Sequence, residues 1–382
     1  MGNVLGKLAL GGALVISSVA SAALTNHERN DIDAQPAPVR IDPTAADHDA
    51  DVRQPLQINL PPRQQAMQPA HVAELDARIL ERVRSFNGAS GLAVKSVDGD
   101  WEAGWQTERL FPQQSVSKLW VTMAMLDQVD RGALNLGQRM SFTRDDVTLW
   151  SAATTSKILA GGYARSLDNL MYDALTKSDN HANDKILRTV GGPDAVRRMI
   201  QDKALGAIRF GDGERAMQAQ VAGLTWQPSY AFNDGFNRAR SALPAATRQA
   251  AMDRYIADPY DGASPMAIAR ALARLDRGEL LSPASTAKFL TTMGLATTGR
   301  LRVKSGLKAG WEWSHKTGTG QNYRGRVGGI NDVGILTAPD GARYALAFMT
   351  CPNTTDGSAQ ELMRDVARMV IEHHEKYGRN LS

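Results

Sequence analysis

A chain of 382 residues, 43% of them apolar, is long enough for one large domain or two with a sizeable core. Its net charge of +4 is spread thinly, with no run of Lys or Arg, so neither nucleic acid nor an anionic membrane surface is an expected partner. Cys351 is the only cysteine, which excludes an intramolecular disulfide and a thiolate metal cluster.

Residues 1–23 read as a secretory signal. Lys7 supplies the positive start, LALGGALVISSVA the apolar centre, and Ala20-Ser21-Ala22 the small-residue end. The apolar run is short for a spanning helix, which leaves a retained N-terminal anchor as the weaker reading, and no cysteine follows it to carry a lipid. Residues 24–68 are rich in Asp, Ala, Pro and Gln without an apolar period, and read as a flexible tether.

From Pro69 the pattern changes. Val72, Leu75, Ile79, Val83 and Phe86 fall at helical spacing, and two short strands follow around 91–97 and 101–107, joined by Asp98-Gly99-Asp100. Val116, Leu119, Met123, Leu126 and Val129 mark one face of a helix that stops at Gly132. Another helix spans about Ser166–Lys177, shorter pieces follow Asn180 and Pro193, and one more runs from Pro244 to Ile256. VGGINDVGILT and ARYALAFMT flank the Pro339-Asp340-Gly341 turn as a hairpin. Ser358 and Glu361 have the spacing of a capping box for a last helix carrying Leu362, Val366, Met369 and Val370 on one face.

This order predicts an α/β chain of the α+β type. An antiparallel sheet receives strands from both chain ends, about 69–112 and 298–382, and a helical subdomain, about 113–297, is inserted between them. The seven His include no H-E-x-x-H pair, and His373-His374 near the end of the last helix read as solvated, so no metal is expected.

Chemistry enters at FPQQSVSKLW, where Ser115 precedes Lys118 by one helical turn. The spacing alone is weak, because Ser285/Lys288 and Ser305/Lys308 repeat it. Downstream lie Ser178-Asp179-Asn180 in a loop between helices and Lys316-Thr317-Gly318-Thr319-Gly320 before the hairpin; Lys304-Ser305-Gly306 is a second, weaker match to the latter. Only Ser115 stands ahead of all these elements with room for the helical block between them. A serine hydroxyl becomes a nucleophile when a neighbouring base takes its proton, and a lysine buried among apolar residues loses protons more readily.

Ser-x-x-Lys, Ser-Asp-Asn and Lys-Thr-Gly in that order make the chain, from about residue 70 onward, resemble class A serine β-lactamases and penicillin-binding proteins. The resemblance implies a β-lactamase/transpeptidase-like fold and the roles that follow. Ser115 would be the nucleophile and Lys118 its base, with the backbone N–H groups of Ser115 and Thr319 as the oxyanion hole. Ser178 would protonate the departing nitrogen, Asn180 would bind the substrate's side-chain amide, and Lys316, Thr317, Gly318 and Thr319 would receive its carboxylate. Asp179 reads equally well as a structural cap.

Arg209-Phe210-Gly211-Asp212-Gly213-Glu214 matches the family's approach to its deacylating carboxylate, with Glu214 at 36 positions past Ser178 and Gln218 where the family commonly has Asn. Trp150 stands where the family lines the substrate entrance with an aromatic residue, a core Trp being the plainer alternative. Asn331 stands where many members carry an Arg, and Arg302 falls where others supply one, with Arg324 and Arg326 as rivals. Gln114 and NDVGILTAPDG resemble the extended-spectrum branch typified by the PER enzymes. The segment from Glu214 to Ser264-Pro265 is far longer than the family's loop.

The expectation is therefore a periplasmic serine hydrolase of class A with no cofactor, monomeric and free of the membrane once its signal is cleaved, whose partner is a small-molecule β-lactam. A penicillin-binding peptidase acting on D-Ala-D-Ala is the runner-up, and a receptor merely acylated by lactams the third reading.

Overall fold

The computed structural model describes residues 68–378. The expected signal and nearly all of the tether lie outside the described residues.

Five strands form an antiparallel sheet in the spatial order Glu102–Trp105, Gly88–Ser96, Arg343–Pro352, Ile330–Thr337, Glu312–Thr319. The N-terminal strand pairs with the C-terminal one from Gly88 opposite Pro352 to Ser96 opposite Tyr344, so both chain ends build one sheet. Its two faces are covered differently because side chains alternate along each strand. Leu92, Val94, Leu346 and Phe348 point towards the helices Ala70–Arg84 and Ser358–Tyr377, while Ala93, Ala345, Ala347 and Met349 meet the helical block. The Arg82–Asp365 pair at 2.7 Å ties the two terminal helices together.

The block between the strands holds Lys118–Asp130 at its centre. Leu119 through Leu126 are all buried, so this helix is covered on every side rather than on one apolar face. The block is not purely helical as expected. Phe111–Pro112 pairs with Gly262–Ala263, and Arg139–Ser141 with Ala164–Ser166, as short antiparallel ladders that pin the helix ends.

Two expectations fail near the C-terminus. The last helix begins after Gly357, whose φ of 90° only glycine adopts readily; the Asp356 carboxylate accepts from Ser358 N–H at 3.0 Å, and the Ser358 hydroxyl makes no capping bond. His373 and His374 are buried rather than solvated. His373 Nε2 lies 3.0 Å from His71 Nδ1, and His374 Nδ1 lies 2.8 Å from the Tyr344 hydroxyl, because the helix packs its final turns on the sheet and the first helix.

Candidate active site

Ser115 lies in a 3-10 turn, Gln114–Ser117, that leads directly into the Lys118–Asp130 helix. The turn fixes Ser115 and Lys118 side by side: Lys118 Nζ donates to Ser115 Oγ at 2.8 Å while the lysine itself is fully buried. Neither rival spacing produces such a contact. Ser285 donates to Asp130 and Lys288 pairs with Asp168, while Ser305 donates to the Arg302 carbonyl and Lys308 pairs with Glu375.

The same ammonium reaches Glu214 Oε2 at 3.2 Å. Glu214 opens the short helix Glu214–Ala222. One turn on, Gln218 Nε2 donates to Glu214 Oε1 at 2.9 Å. Gln321 in turn donates to Gln218 Oε1 at 2.8 Å.

On the opposite side, Ser178 has a φ of 59° in the tight link between helices Leu167–Thr176 and Asn180–Thr189. Lys316 Nζ donates to its hydroxyl at 2.9 Å. Burial, reinforced by the nearby charges of Lys118 and Arg302, holds the Lys316 amine well below the usual lysine range. Asp179 is the N-cap of the following helix, accepting from Ala182 N–H at 2.9 Å and Thr154 Oγ1 at 2.7 Å. Burial opposes its charge, yet the neighbouring His181 ring and the bonds from Ala182 and Thr154 hold its carboxyl down at about 2. Asn180 donates to the Leu149 carbonyl at 3.1 Å, which ties it to the loop carrying Trp150.

Trp150 is 54% exposed, not a core residue, and stands edge-on to Phe236 of the long segment after Glu214. Thr317 Oγ1 contacts Thr298 Oγ1 at 2.8 Å. Arg302 is buried beside the Lys-Thr-Gly strand, donating to the Gly318 carbonyl at 3.0 Å and to Thr319 Oγ1 at 2.5 Å. Its rivals point elsewhere: Arg326 pairs with Asp253 and Arg324 lies over Tyr323.

The strand and the nucleophile's turn come unusually close. A Cβ on Gly318 would sit 2.4 Å from the Gln113 carbonyl oxygen, so only glycine fits there. Asn331 staples the junction, donating to the Pro112 carbonyl at 2.8 Å and the Gln113 carbonyl at 3.1 Å while accepting from Thr350 N–H at 3.0 Å. Asn331 was not singled out for this role by sequence reasoning. The available signal was an Asn-Asp pair inside an otherwise apolar strand, since buried polar groups need partners.

Comparison with known proteins places this geometry in context. A family model described as "Beta-lactamase enzyme family" matches residues 74–374. The chain is 27% identical over 306 residues to a beta-lactamase of Streptomyces albus G, covering 79% of this chain and 85% of that one. It is 30% identical over 240 residues to the extended-spectrum beta-lactamase PER-1 of Pseudomonas aeruginosa, covering 62% and 66%. The crystal structure of the TLA-1 extended-spectrum beta-lactamase superposes with a TM-score of 0.66 at 21% identity, over 79% of this chain and 99% of that one. A family match spanning most of the chain, on a fold shared with solved class A enzymes, shows that the chain belongs to the beta-lactamase enzyme family.

Proposed function

We propose that this protein is a class A serine β-lactamase that hydrolyses the lactam amide of penicillins and cephalosporins through an acyl-Ser115 intermediate. One observation carries the reading: a single buried ammonium, Lys118 Nζ, lies 2.8 Å from Ser115 Oγ and 3.2 Å from Glu214 Oε2. Ser115 Oγ attacks the lactam carbonyl and gives up its proton to the Lys118–Glu214 pair. The C–N bond breaks as Ser178 protonates the nitrogen, and the proton taken from Ser115 passes on to Ser178, held by Lys316 at 2.9 Å, which returns the Lys118–Glu214 pair to its starting state before water is activated. Glu214 then takes a proton from water, whose oxygen attacks the ester carbonyl. Ser115 Oγ leaves and recovers its proton. Asn180, Thr317, Gly318, Thr319 and Arg302 bind the substrate's amide and carboxylate, and Trp150 lines the entrance.

Steady-state turnover of a chromogenic cephalosporin tests this, with Glu214→Gln and Ser115→Ala alongside. The wild type turns over continuously, Glu214→Gln traps the acyl-enzyme, and Ser115→Ala abolishes even the burst. A single stoichiometric burst from the wild type would overturn the hydrolase reading and favour a penicillin-binding peptidase. The proposal includes a monomer exported to the periplasm, supported by the signal-like residues 1–23 and by family membership. Among the described residues no helix is long and apolar enough to cross a membrane. N-terminal sequencing and light scattering of the exported protein check both points.

A further inference from the structure

The long segment between Glu214 and Pro265 does more than extend the surface. Its helix Ala245–Ala257 delivers Tyr255, fully buried, to the residue preceding the nucleophile. The Tyr255 hydroxyl donates to Asp261 Oδ1 at 2.9 Å and accepts from Gln114 Nε2 at 2.7 Å. Asp261 Oδ2 also accepts from the Gln114 backbone N–H at 2.8 Å, where Gln114 has a φ of 53°. Both the backbone and the side chain of Gln114 are therefore held by this pair.

The direction of every bond along the chain is determined. The Gln114 amide nitrogen has two acceptors, the Tyr255 hydroxyl and the Gly328 carbonyl at 3.2 Å, so its oxygen must face Gln218. That oxygen accepts from Gln218 Nε2 at 3.2 Å, and the same nitrogen donates to Glu214 Oε1 at 2.9 Å. Gln218 Oε1 is occupied by Gln321. A flipped Gln114 would set two NH2 groups against each other, and Gln218 would have to turn away from Glu214. The flip is opposed by the Gly328 carbonyl and, through the shorter bond, by the tyrosine hydroxyl, whose own proton is committed to Asp261.

We propose that Tyr255 is a positioning residue for the release step: with Asp261 as its acceptor it locks the Gln114 amide, and through Gln114 and Gln218 it holds the Glu214 carboxylate in place to activate water. This rests on the reading of Glu214 as the release base. Lys118 keeps its bond to Ser115 outside the chain of bonds, so acylation, in which the proton goes to the Lys118–Glu214 pair, suffers less than release, in which Glu214 acts on water alone. A buried network of this kind acts as a unit, and losing one donor is felt at its far end.

The test is Tyr255→Phe, which keeps the ring and removes only the hydroxyl, followed by stopped flow with a chromogenic cephalosporin and intact mass of protein quenched in steady state. Release is expected to slow about tenfold and acylation to change less than about twofold, so that acyl-enzyme accumulates. In a Gln218→Ala background the same substitution is expected to change release less than about twofold, because the path to Glu214 is already cut. Asp261→Asn, which weakens the acceptor of the tyrosine proton, moves the balance the same way and serves if Tyr255→Phe does not fold. Ile256→Val, on the same helix but outside the network, lowers stability without accumulating acyl-enzyme. A wild-type ratio of release to acylation in Tyr255→Phe, or an undiminished effect in the Gln218→Ala background, overturns the proposal while leaving the hydrolase reading intact. A wild type that only bursts overturns both.

Discussion

Asn331 offers the most direct test of how the sheet positions the nucleophile. It is fully buried, and its amide bridges three backbone groups: the Pro112 and Gln113 carbonyls, which precede Ser115, and the Thr350 N–H of the neighbouring strand. Asn331→Ala strands those groups where no side chain replaces the bonds. The Gln113 carbonyl keeps one other donor, Val116 N–H at 3.2 Å, so its loss is partial. With roughly 1–3 kcal/mol for each unsatisfied buried group, the expected destabilisation is about 3–5 kcal/mol. Asn331→Asp is a sharper probe, since it turns a carboxylate oxygen towards two carbonyl oxygens. At neutral pH it is expected to be less stable than the alanine variant. Protonating the new carboxyl restores one donor, so its folded-state pKa lies above the unfolded value; the stability it contributes is present at low pH and is lost as pH rises. Urea unfolding followed by tryptophan fluorescence at pH 7 and pH 5 measures both effects. A loss below about 1 kcal/mol for Asn331→Ala, or an aspartate variant as stable as the alanine one at pH 7, would refute the staple.

Other outcomes follow from the same geometry. Gly318→Ala places a methyl 2.4 Å from the Gln113 carbonyl and must push the strand off the nucleophile's turn, so the acylation burst is expected to slow on the order of a hundredfold while the protein still folds. Arg302→Lys keeps the charge but loses the planar fork shared among Gly318, Asn331 and Thr319; KM for a lactam is expected to rise about tenfold, with a smaller change in kcat. Asp179→Ala removes the cap of the Asn180–Thr189 helix and is expected to cost about 1–2 kcal/mol at pH 7. Because the Asp179 carboxyl is held down at about 2, its contribution is complete above the unfolded value of about 4 and fades as pH falls towards 2; the melting-temperature gap to the alanine variant should close over that window.

Much of the architecture was legible in the chain because it rests on local periodicity. Val72, Leu75, Ile79 and Val83 repeat at helical spacing and do form the buried stripe of the first helix. VGGINDVGILT and ARYALAFMT are apolar-rich stretches on either side of turn residues, and they pair as a hairpin from Ile330 opposite Thr350 to Thr337 opposite Arg343. The capping box at Ser358 was misread for a local reason: a left-handed Gly357 and the Asp356 carboxylate already start that helix, leaving the serine no role. His373 and His374 were misread for a tertiary one, since a helix near the chain's end was assumed to be solvated when it packs on the sheet and the first helix.

The candidate site divides along the same line. Ser115 with Lys118, and Glu214 with Gln218, are pairs one helical turn apart, so spacing alone brings their side chains to one face. The sequence by itself therefore determined which residue types could meet within a turn, and the order of the three motifs determined which of three equivalent serines belonged with the rest. Only the tertiary structure decided the meetings between turns: Lys118 against Glu214, Lys316 against Ser178, Arg302 against Thr319, and Tyr255 of the long segment against Gln114. Those contacts join residues distant in the chain. They exist because the sheet draws both chain ends together and the inserted block folds back onto its edge, and no local pattern records where such a fold returns.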